Sequence, residues 1–148
     1  MIKKIGIIGT GTMGAAIAGG IQRHYEVIVF DADPLKTRAL SGVRVSVSIA
    51  DLVRDADCVI IAVKPQDCAA VLQECRPFAR MRLFISIAAG ITTRAIENIL
   101  GEVRVVRAMP NLGVILGVSE TSLCPGSKAG QEDLLDAQKL FDCIGKSW

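Results

Sequence analysis

A glycine-rich segment near the start of the chain carries the strongest chemical signal in the sequence. It reads G-x-G-x-x-G over residues 9–14, follows the apolar run 4–8 and precedes a helix-like stretch of small residues. In such a loop the first glycine permits a tight turn, the second lets a pyrophosphate approach the backbone, and the third allows close helix packing. Free N–H groups at the helix start would hold the phosphates. The pattern predicts a dinucleotide site formed by Gly9, Thr10, Gly11, Thr12, Met13 and Gly14.

A carboxylate, Asp31, ends the next predicted strand and follows Gly11 by 20 residues. In dinucleotide sites an acid at this place accepts hydrogen bonds from the adenine ribose and repels the additional phosphate of NADP. Lys36 and Arg38, slightly further along the chain, could instead hold that phosphate. We therefore expect NADPH or NADH as the cofactor, with Asp31 favouring NADH.

Three more segments are predicted to meet at the carboxyl ends of later strands, where open parallel sheets bind their ligands. In the first, residues 62–65, Lys64 precedes a proline and is held extended, which presents its backbone to a ligand. The second, residues 88–90, contains only small residues and leaves room for a flat ring. The third is Met-Pro-Asn at 109–111. Together with the glycine loop, these segments predict a nicotinamide site.

The elements that must position these segments alternate between strand and helix about every 25 residues. Asp33 and Thr92 are predicted helix caps, and Gly6, Gly19 and Gly20 are expected to allow close packing of helix on sheet. The predicted strands cover 4–8, 26–31, 43–47, 58–63, 83–87 and 103–107, with later ones near 121–123 and 146–148; the predicted helices cover 13–23, segments beginning at 34 and 65, 93–100 and 130–144. This order predicts an α/β fold, a Rossmann-type, doubly wound, mainly parallel sheet with helices on both faces.

Composition excludes several classes of protein. The 148 residues are 51% hydrophobic, which excludes a disordered chain, and a net charge of +2 is too small for a nucleic-acid partner. Five cysteines without a C-x-x-C and a single histidine offer no zinc set, so we expect no metal. The uncharged run 5–21 is too short and too rich in glycine for a signal or membrane segment. We expect a cytoplasmic protein with reduced thiols and no membrane partner.

Five segments together resemble pyrroline-5-carboxylate reductases. They are GTGTMG at 9–14, AVKP at 62–65, SIAAGI at 86–91, VRAMPN at 106–111 and LCPG at 123–126, and they follow in order along essentially the whole chain. The resemblance implies an NAD(P)H-dependent reductase of proline biosynthesis. Such an enzyme transfers hydride to the C=N bond of 1-pyrroline-5-carboxylate, a small imine, and yields L-proline.

The resemblance also implies roles for residues at the strand ends. Ala62, Val63, Lys64 and Pro65 would line the nicotinamide side, Ala88, Ala89 and Gly90 would flank the carboxamide, and Asn111 would border the substrate pocket. The chain departs from the family at 112–119, where the usual MPNTP and VGEG-like turn read MPNLG and LGVS. No side chain is an evident general acid, so no catalytic residue is assigned.

The family has a second, all-helical domain that forms the dimer and supplies most of the substrate pocket. By resemblance, residues 1–148 are the NAD(P)-binding Rossmann domain, and the helical domain is absent from this chain. We expect this domain alone to be inactive and the full-length protein to form a homo-oligomer. The alternatives are a non-catalytic dinucleotide-binding module, a related reductase such as a deazaflavin-dependent NADP oxidoreductase or a hydroxyacid dehydrogenase, and a methyl-donor cofactor site, which would not bind NADH.

Overall fold

A computed structural model describes all residues from 1 to 148 as one eight-stranded sheet with helices on both faces. The strands are β1 Lys4–Ile8, β2 Glu26–Phe30, β3 Arg44–Val45, β4 Cys58–Ile61, β5 Leu83–Ser86, β6 Arg104–Met109, β7 Ser119–Pro125 and β8 Gly145–Ser147. The helices are α1 Thr12–Ile21, α2 Pro34–Arg38, α3 Ile49–Asp55, α4 Pro65–Cys75, α5 Thr93–Leu100 and α6 Gln131–Asp142, with 3₁₀ turns at Arg76–Phe78 and Leu112–Leu116.

The strand order is β3-β2-β1-β4-β5-β6-β7-β8, which confirms the predicted Rossmann-type fold. Strand β1 pairs in parallel with both β2 and β4. The chain therefore adds β2 and β3 on one side of β1 and then crosses over to add β4 on its other side. The carboxyl ends of β1 and β4 thus flank a topological switch point, the place where such sheets form ligand crevices. The pair β6–β7 is the one antiparallel pair of the sheet, and the short Leu112–Leu116 turn connects its two strands. Strand β8 pairs in parallel with β7, so these last two strands run opposite to the first six.

Helices cover both faces of the sheet, which explains why its central strands are apolar throughout. On one face, Ile17 of α1 and Phe141 of α6 pack against β1 and β4. On the other, Leu52 of α3, Leu72 of α4 and Ile96 of α5 form a second buried cluster. The two buried clusters therefore fix the sheet between its helices, and the loops at the carboxyl ends of its strands project from this packed core.

Polar caps begin the helices where the chain turns away from the sheet. The predicted caps Asp33 and Thr92 are confirmed, since their side chains accept the N–H of Leu35 and Ala95. A third cap, Ser48, accepts the N–H of Asp51 and begins α3, a helix that the sequence interpretation missed. The predicted strand 43–47 was correspondingly too long. Because Ser48 starts a helix so soon, only Arg44–Val45 form the edge strand β3.

All five cysteines are free, and three of them, Cys58, Cys68 and Cys75, are buried. Burial raises the pKa of Cys75 to about 12 and also raises the pKa of Cys58, so both thiols are protonated and pack as small apolar groups. No helix has the length and apolar character that crossing a membrane requires. No three His, Cys, Asp or Glu side chains lie close enough together to hold a metal ion.

Candidate functional site

The glycine loop turns sharply between β1 and α1. Gly9 has φ +98°, a conformation that L side chains rarely adopt, and its N–H donates to the carbonyl of Phe30 at 2.9 Å. Gly11 is the N-cap of α1 and has no side chain to cap the helix. The first turn of α1 also contains no acidic residue. The N–H groups at the positive end of α1 therefore remain available to an anion.

Gly11 and Gly14 differ in what surrounds their missing side chains. A Cβ added to Gly11 would meet nothing within 4 Å, so its position opens into free space. A Cβ added to Gly14 would overlap the carbonyl oxygen of Gly9 and press on Ala62 at 3.3 Å. Gly14 is therefore required for packing of the loop, whereas Gly11 leaves a passage to the backbone.

Asp31 holds the glycine loop in place from the end of β2. Its Oδ2 accepts the backbone N–H of Thr10 at 2.7 Å and the Thr10 hydroxyl at 3.1 Å, while Oδ1 accepts the N–H of Asp33 at 2.9 Å. Burial raises the pKa of the Asp31 carboxyl, but these hydrogen bonds, with a smaller contribution from Lys36, lower it more. Because the two oxygens have about four acceptor positions and three are used, one remains for a ligand.

The lowered pKa of Asp31 predicts a pH-dependent stability. Its stabilising contribution is present above the unfolded-state pKa and is lost as the pH falls through the lower folded-state pKa. We expect the free energy of unfolding, measured by urea denaturation, to decrease between about pH 5 and pH 3. Asp31→Asn should flatten this dependence. Glu120→Gln, which changes an exposed acid on β7, is the control and should keep the wild-type profile; equal profiles for all three proteins would contradict the prediction.

A cavity of about 550 Å³ lies at the switch point, over the carboxyl ends of β1, β2 and β4. Predicted site residues from three segments line it: Gly9, Gly11, Asp31, Ala62, Val63 and Lys64. Lys64 has φ −62° and ψ 148° and is the N-cap of α4, which confirms its predicted extended backbone before Pro65. The cavity is thus long enough to connect the end of β2 with the end of β4.

A second cavity, of about 260 Å³, lies between Met13 of the glycine loop and the segments that follow β5 and β6. Seven residues line it: Met13, Ile87, Ala89, Met109, Pro110, Asn111 and Leu112. Asn111 begins the 3₁₀ turn, where its Oδ1 accepts the N–H of Gly113 at 2.9 Å and its own N–H donates to Ser119 Oγ. This cavity is mostly apolar, which suits a flat ring rather than a phosphate.

The structure brings together nine of the predicted site residues around these two cavities. The other six line neither of them: Thr10, Thr12, Gly14, Pro65, Ala88 and Gly90. Among them Thr10, Gly14 and Ala88 are buried. The Ala88 N–H donates to Ser86 Oγ, which shapes the turn after β5. The sequence interpretation missed the contribution of α4, whose Asp67, Val71 and Glu74 line the larger cavity. The position of α4 directly after the switch strand β4 was the available signal.

Comparison with known proteins gives three kinds of match. A family model described as NADP oxidoreductase, coenzyme F420-dependent, matches residues 4–90. The pyrroline-5-carboxylate reductase of Methanosarcina acetivorans is 36% identical over 97% of this chain and 57% of that protein, and the one from Thermus thermophilus is 40% identical over 96% and 56%. The crystal structure of Plasmodium falciparum pyrroline carboxylate reductase with NADP bound superposes with a TM-score of 0.90, at 25% identity, over 99% of this chain and 56% of that one. The chain therefore spans a little over half the length of these relatives.

Proposed function

Because the chain belongs to the NADP oxidoreductase family described as coenzyme F420-dependent, and is similar along its length to pyrroline-5-carboxylate reductases, we propose that it is the cofactor-binding domain of such a reductase. The observation that carries the proposal is the open position at Gly11. It leaves free N–H groups at the start of α1 facing the larger cavity at the switch point of the sheet. A nicotinamide dinucleotide suits both features, because its pyrophosphate needs close approach to backbone donors.

We propose that the predicted residues divide the cofactor between them. Residues 9–14 hold the pyrophosphate, and Asp31 faces the adenosine end beside Lys36. Residues 62–65, of which 62–64 line the larger cavity, border the nicotinamide together with residues 88–90, of which Ala89 lines the second cavity. Asn111 borders the substrate. Thr10 acts indirectly, since its N–H and hydroxyl fix the carboxylate of Asp31 and thereby the shape of the loop.

The proposed reaction is reduction of a small cyclic imine, 1-pyrroline-5-carboxylate, to L-proline. When bound, the cofactor supplies a hydride to the C=N carbon, so the residues of this chain mainly orient the reactants. Ile87, Ala89 and Pro110 line the second cavity with apolar groups, against which the reacting ring can pack. The positive end of α1 fixes the cofactor at its phosphates.

The relatives extend beyond the part that this chain spans. We propose that this additional part is a helical domain, which completes the substrate pocket and forms a homo-oligomer. A cluster of exposed apolar side chains next to the second cavity supports this proposal, because such clusters mark contact surfaces. The cluster consists of Met109, Leu112, Ile115, Leu116 and Val118. Four of its five residues lie in the segment 112–119, which departs from the family's sequence. A cytoplasmic location agrees with the three buried, protonated thiols.

The proposal is tested in two steps. NADH and NADPH are first titrated into this chain, with the fluorescence of the reduced nicotinamide as the readout. Imine reduction is then assayed with this chain and with the natural protein that contains it. The expected result is cofactor binding by both and turnover by the natural protein. Binding without turnover would favour a non-catalytic dinucleotide-binding module, and no binding would refute the cofactor site.

We also propose that Asp31 gives NADH the advantage over NADPH. A carboxylate repels the additional phosphate of NADP, whereas Lys36 lines the same cavity and attracts it. Asp31→Ser is expected to shift the ratio of the two dissociation constants towards NADPH by about tenfold, and to weaken NADH binding because Thr10 loses its acceptor. Competition titrations with both cofactors measure the ratio.

Two further variants test the charges of Asp31 and Lys36 individually. Asp31→Asn removes the charge but keeps a carbonyl oxygen of similar position, so it should shift the ratio while retaining more NADH affinity than Asp31→Ser. Lys36→Met should shift the ratio in the opposite direction, towards NADH. If the ratio of the two dissociation constants is unchanged in all three variants, neither side chain distinguishes NADH from NADPH.

A further inference from the structure

Arg107 on β6 is the one arginine of this chain that is neither exposed nor paired. Arg82, also partly buried, donates to the carbonyls of Val53 and Arg54. Arg107 forms no ion pair, and its Nε is buried without a hydrogen-bond partner. A buried N–H without an acceptor is unfavourable and rare in folded proteins. The Nε–H of Arg107 is therefore not committed to any acceptor of the protein.

Arg107 lines a cavity of about 270 Å³ between the sheet and the start of α5. The antiparallel register places Arg107 opposite Cys124 and Met109 opposite Ser122. Because side chains two residues apart on a strand point to the same face, these four side chains share one face of the sheet. Thr92 and Thr93 close the cavity from the helix side.

The polar groups around this cavity can all donate hydrogen bonds. The Thr92 Oγ1 accepts the N–H of Ala95 at 3.1 Å, which leaves the hydroxyl proton free to donate into the cavity. The first turn of α5 has no acidic residue, so the positive end of its dipole is not neutralised. The lining residues include no aspartate or glutamate that could accept from Arg107.

We propose that this cavity binds a small oxyanion, either a phosphate or a carboxylate group. A guanidinium pairs with both groups through two parallel N–H bonds, and hydroxyl donors can bond the acceptor positions that remain on the oxyanion. The site is separate from the glycine loop and goes beyond the proposed cofactor function. It touches the second cavity only through Met109, which lines both.

The test is an NMR titration of the 148-residue chain at constant ionic strength, with inorganic phosphate in one series and acetate in the other. The reporters are the Nε–H signal of Arg107 and the amide signal of Thr93. Saturable shifts of both signals are expected. Saturation by phosphate alone identifies a phosphate group as the ligand, and saturation by acetate identifies a carboxylate. Shifts that grow linearly with concentration in both series would overturn the proposal.

Variants connect the response to Arg107. Arg107→Met is expected to weaken the Thr93 response at least about tenfold, since charge-assisted hydrogen bonds are lost. The Gly11 amide reports phosphate at the glycine loop independently and should respond as in the wild type. Arg94→Met, in the same helical turn but outside the cavity, is the matched control and should bind normally. An unchanged Thr93 response in Arg107→Met would also overturn the proposal.

A second variant covers the case in which Arg107→Met does not fold, as judged by circular dichroism. Thr93→Val keeps the size of the side chain and removes its hydroxyl, so the fold should persist while anion affinity falls several-fold. Unchanged affinity in a folded Thr93→Val, together with an unfolded Arg107→Met, would count against the site and assign Arg107 a purely structural role.

Discussion

Replacing Gly11 with threonine is expected to weaken NADH binding by about a hundredfold or more, while the melting temperature of the protein changes little. The backbone of Gly11 has φ −68° and ψ −165°, which a threonine can adopt, and nothing lies within 4 Å of the added Cβ. Threonine is also about as good an N-cap as glycine. The new side chain therefore fills the passage to the first turn of α1 without disturbing the fold. Nucleotide fluorescence and thermal denaturation measure the two effects on one sample.

Gly19→Ala is the matched control for this variant. Gly19 lies in the same helix, and a Cβ added there also meets nothing within 4 Å. Because alanine favours a helix interior more than glycine does, the variant should gain about 0.5–1 kcal/mol of stability and bind NADH normally. Wild-type affinity in Gly11→Thr would contradict the placement of the pyrophosphate. Equal losses in both variants would indicate a general effect on the helix.

The order of strands and helices could be predicted because it depends on local patterns that the sequence states directly. Apolar runs such as Lys4–Ile8 and caps such as Asp33 and Thr92 act within a few residues. Helix α3 was missed, although Ser48 followed three residues later by Asp51 is a known helix-start pattern. The predicted third strand ends at Val47, and the residues of α3 were assigned to no element. The signal for this helix was therefore local and was overlooked.

Tertiary contacts explain what the sequence could not predict about individual glycines. Gly6 and Gly20 were expected to allow close packing, and each does: an added Cβ would overlap Leu52 and Ile144, respectively. The same expectation for Gly19 was wrong, since that residue faces free space. The added Cβ atoms of neighbouring glycines on one helix point in different directions. Only the one at Gly20 points towards Ile144, which follows α6. The sequence pattern does not contain this information.

The candidate site shows the same division between local and distant effects. The spacing of the glycine loop and Asp31 follows from the strand and helix lengths, so both could be located from the sequence. The three hydrogen bonds that engage Asp31 depend on how the loop turns back over β2, and no spacing rule predicts them. The unpaired state of Arg107 depends on the face of β6 and on the side chains of β7. Only the folded chain brings those residues together.

Gly14→Ala is expected to destabilise the fold far more than substitutions at Gly11, with a loss of stability of about 3 kcal/mol. For a chain of this size the loss corresponds to a decrease in melting temperature of about 10 °C. The added methyl group would overlap the carbonyl oxygen of Gly9, which is backbone and cannot rotate away like a side chain. Gly9 itself is held at φ +98° and by its bond to Phe30, so the loop has little freedom to adjust.

Gly11→Ala is the control, because it adds the same methyl group three residues earlier in the same loop. Its Cβ enters open space, and only the weaker N-cap preference of alanine reduces stability, by about 1 kcal/mol. Urea denaturation of the two variants therefore separates packing from ligand access. If Gly14→Ala is no less stable than Gly11→Ala, close contact between α1 and the loop does not limit the fold. If it is less stable by the expected margin, the third glycine of the motif is required for folding, whereas the second is not.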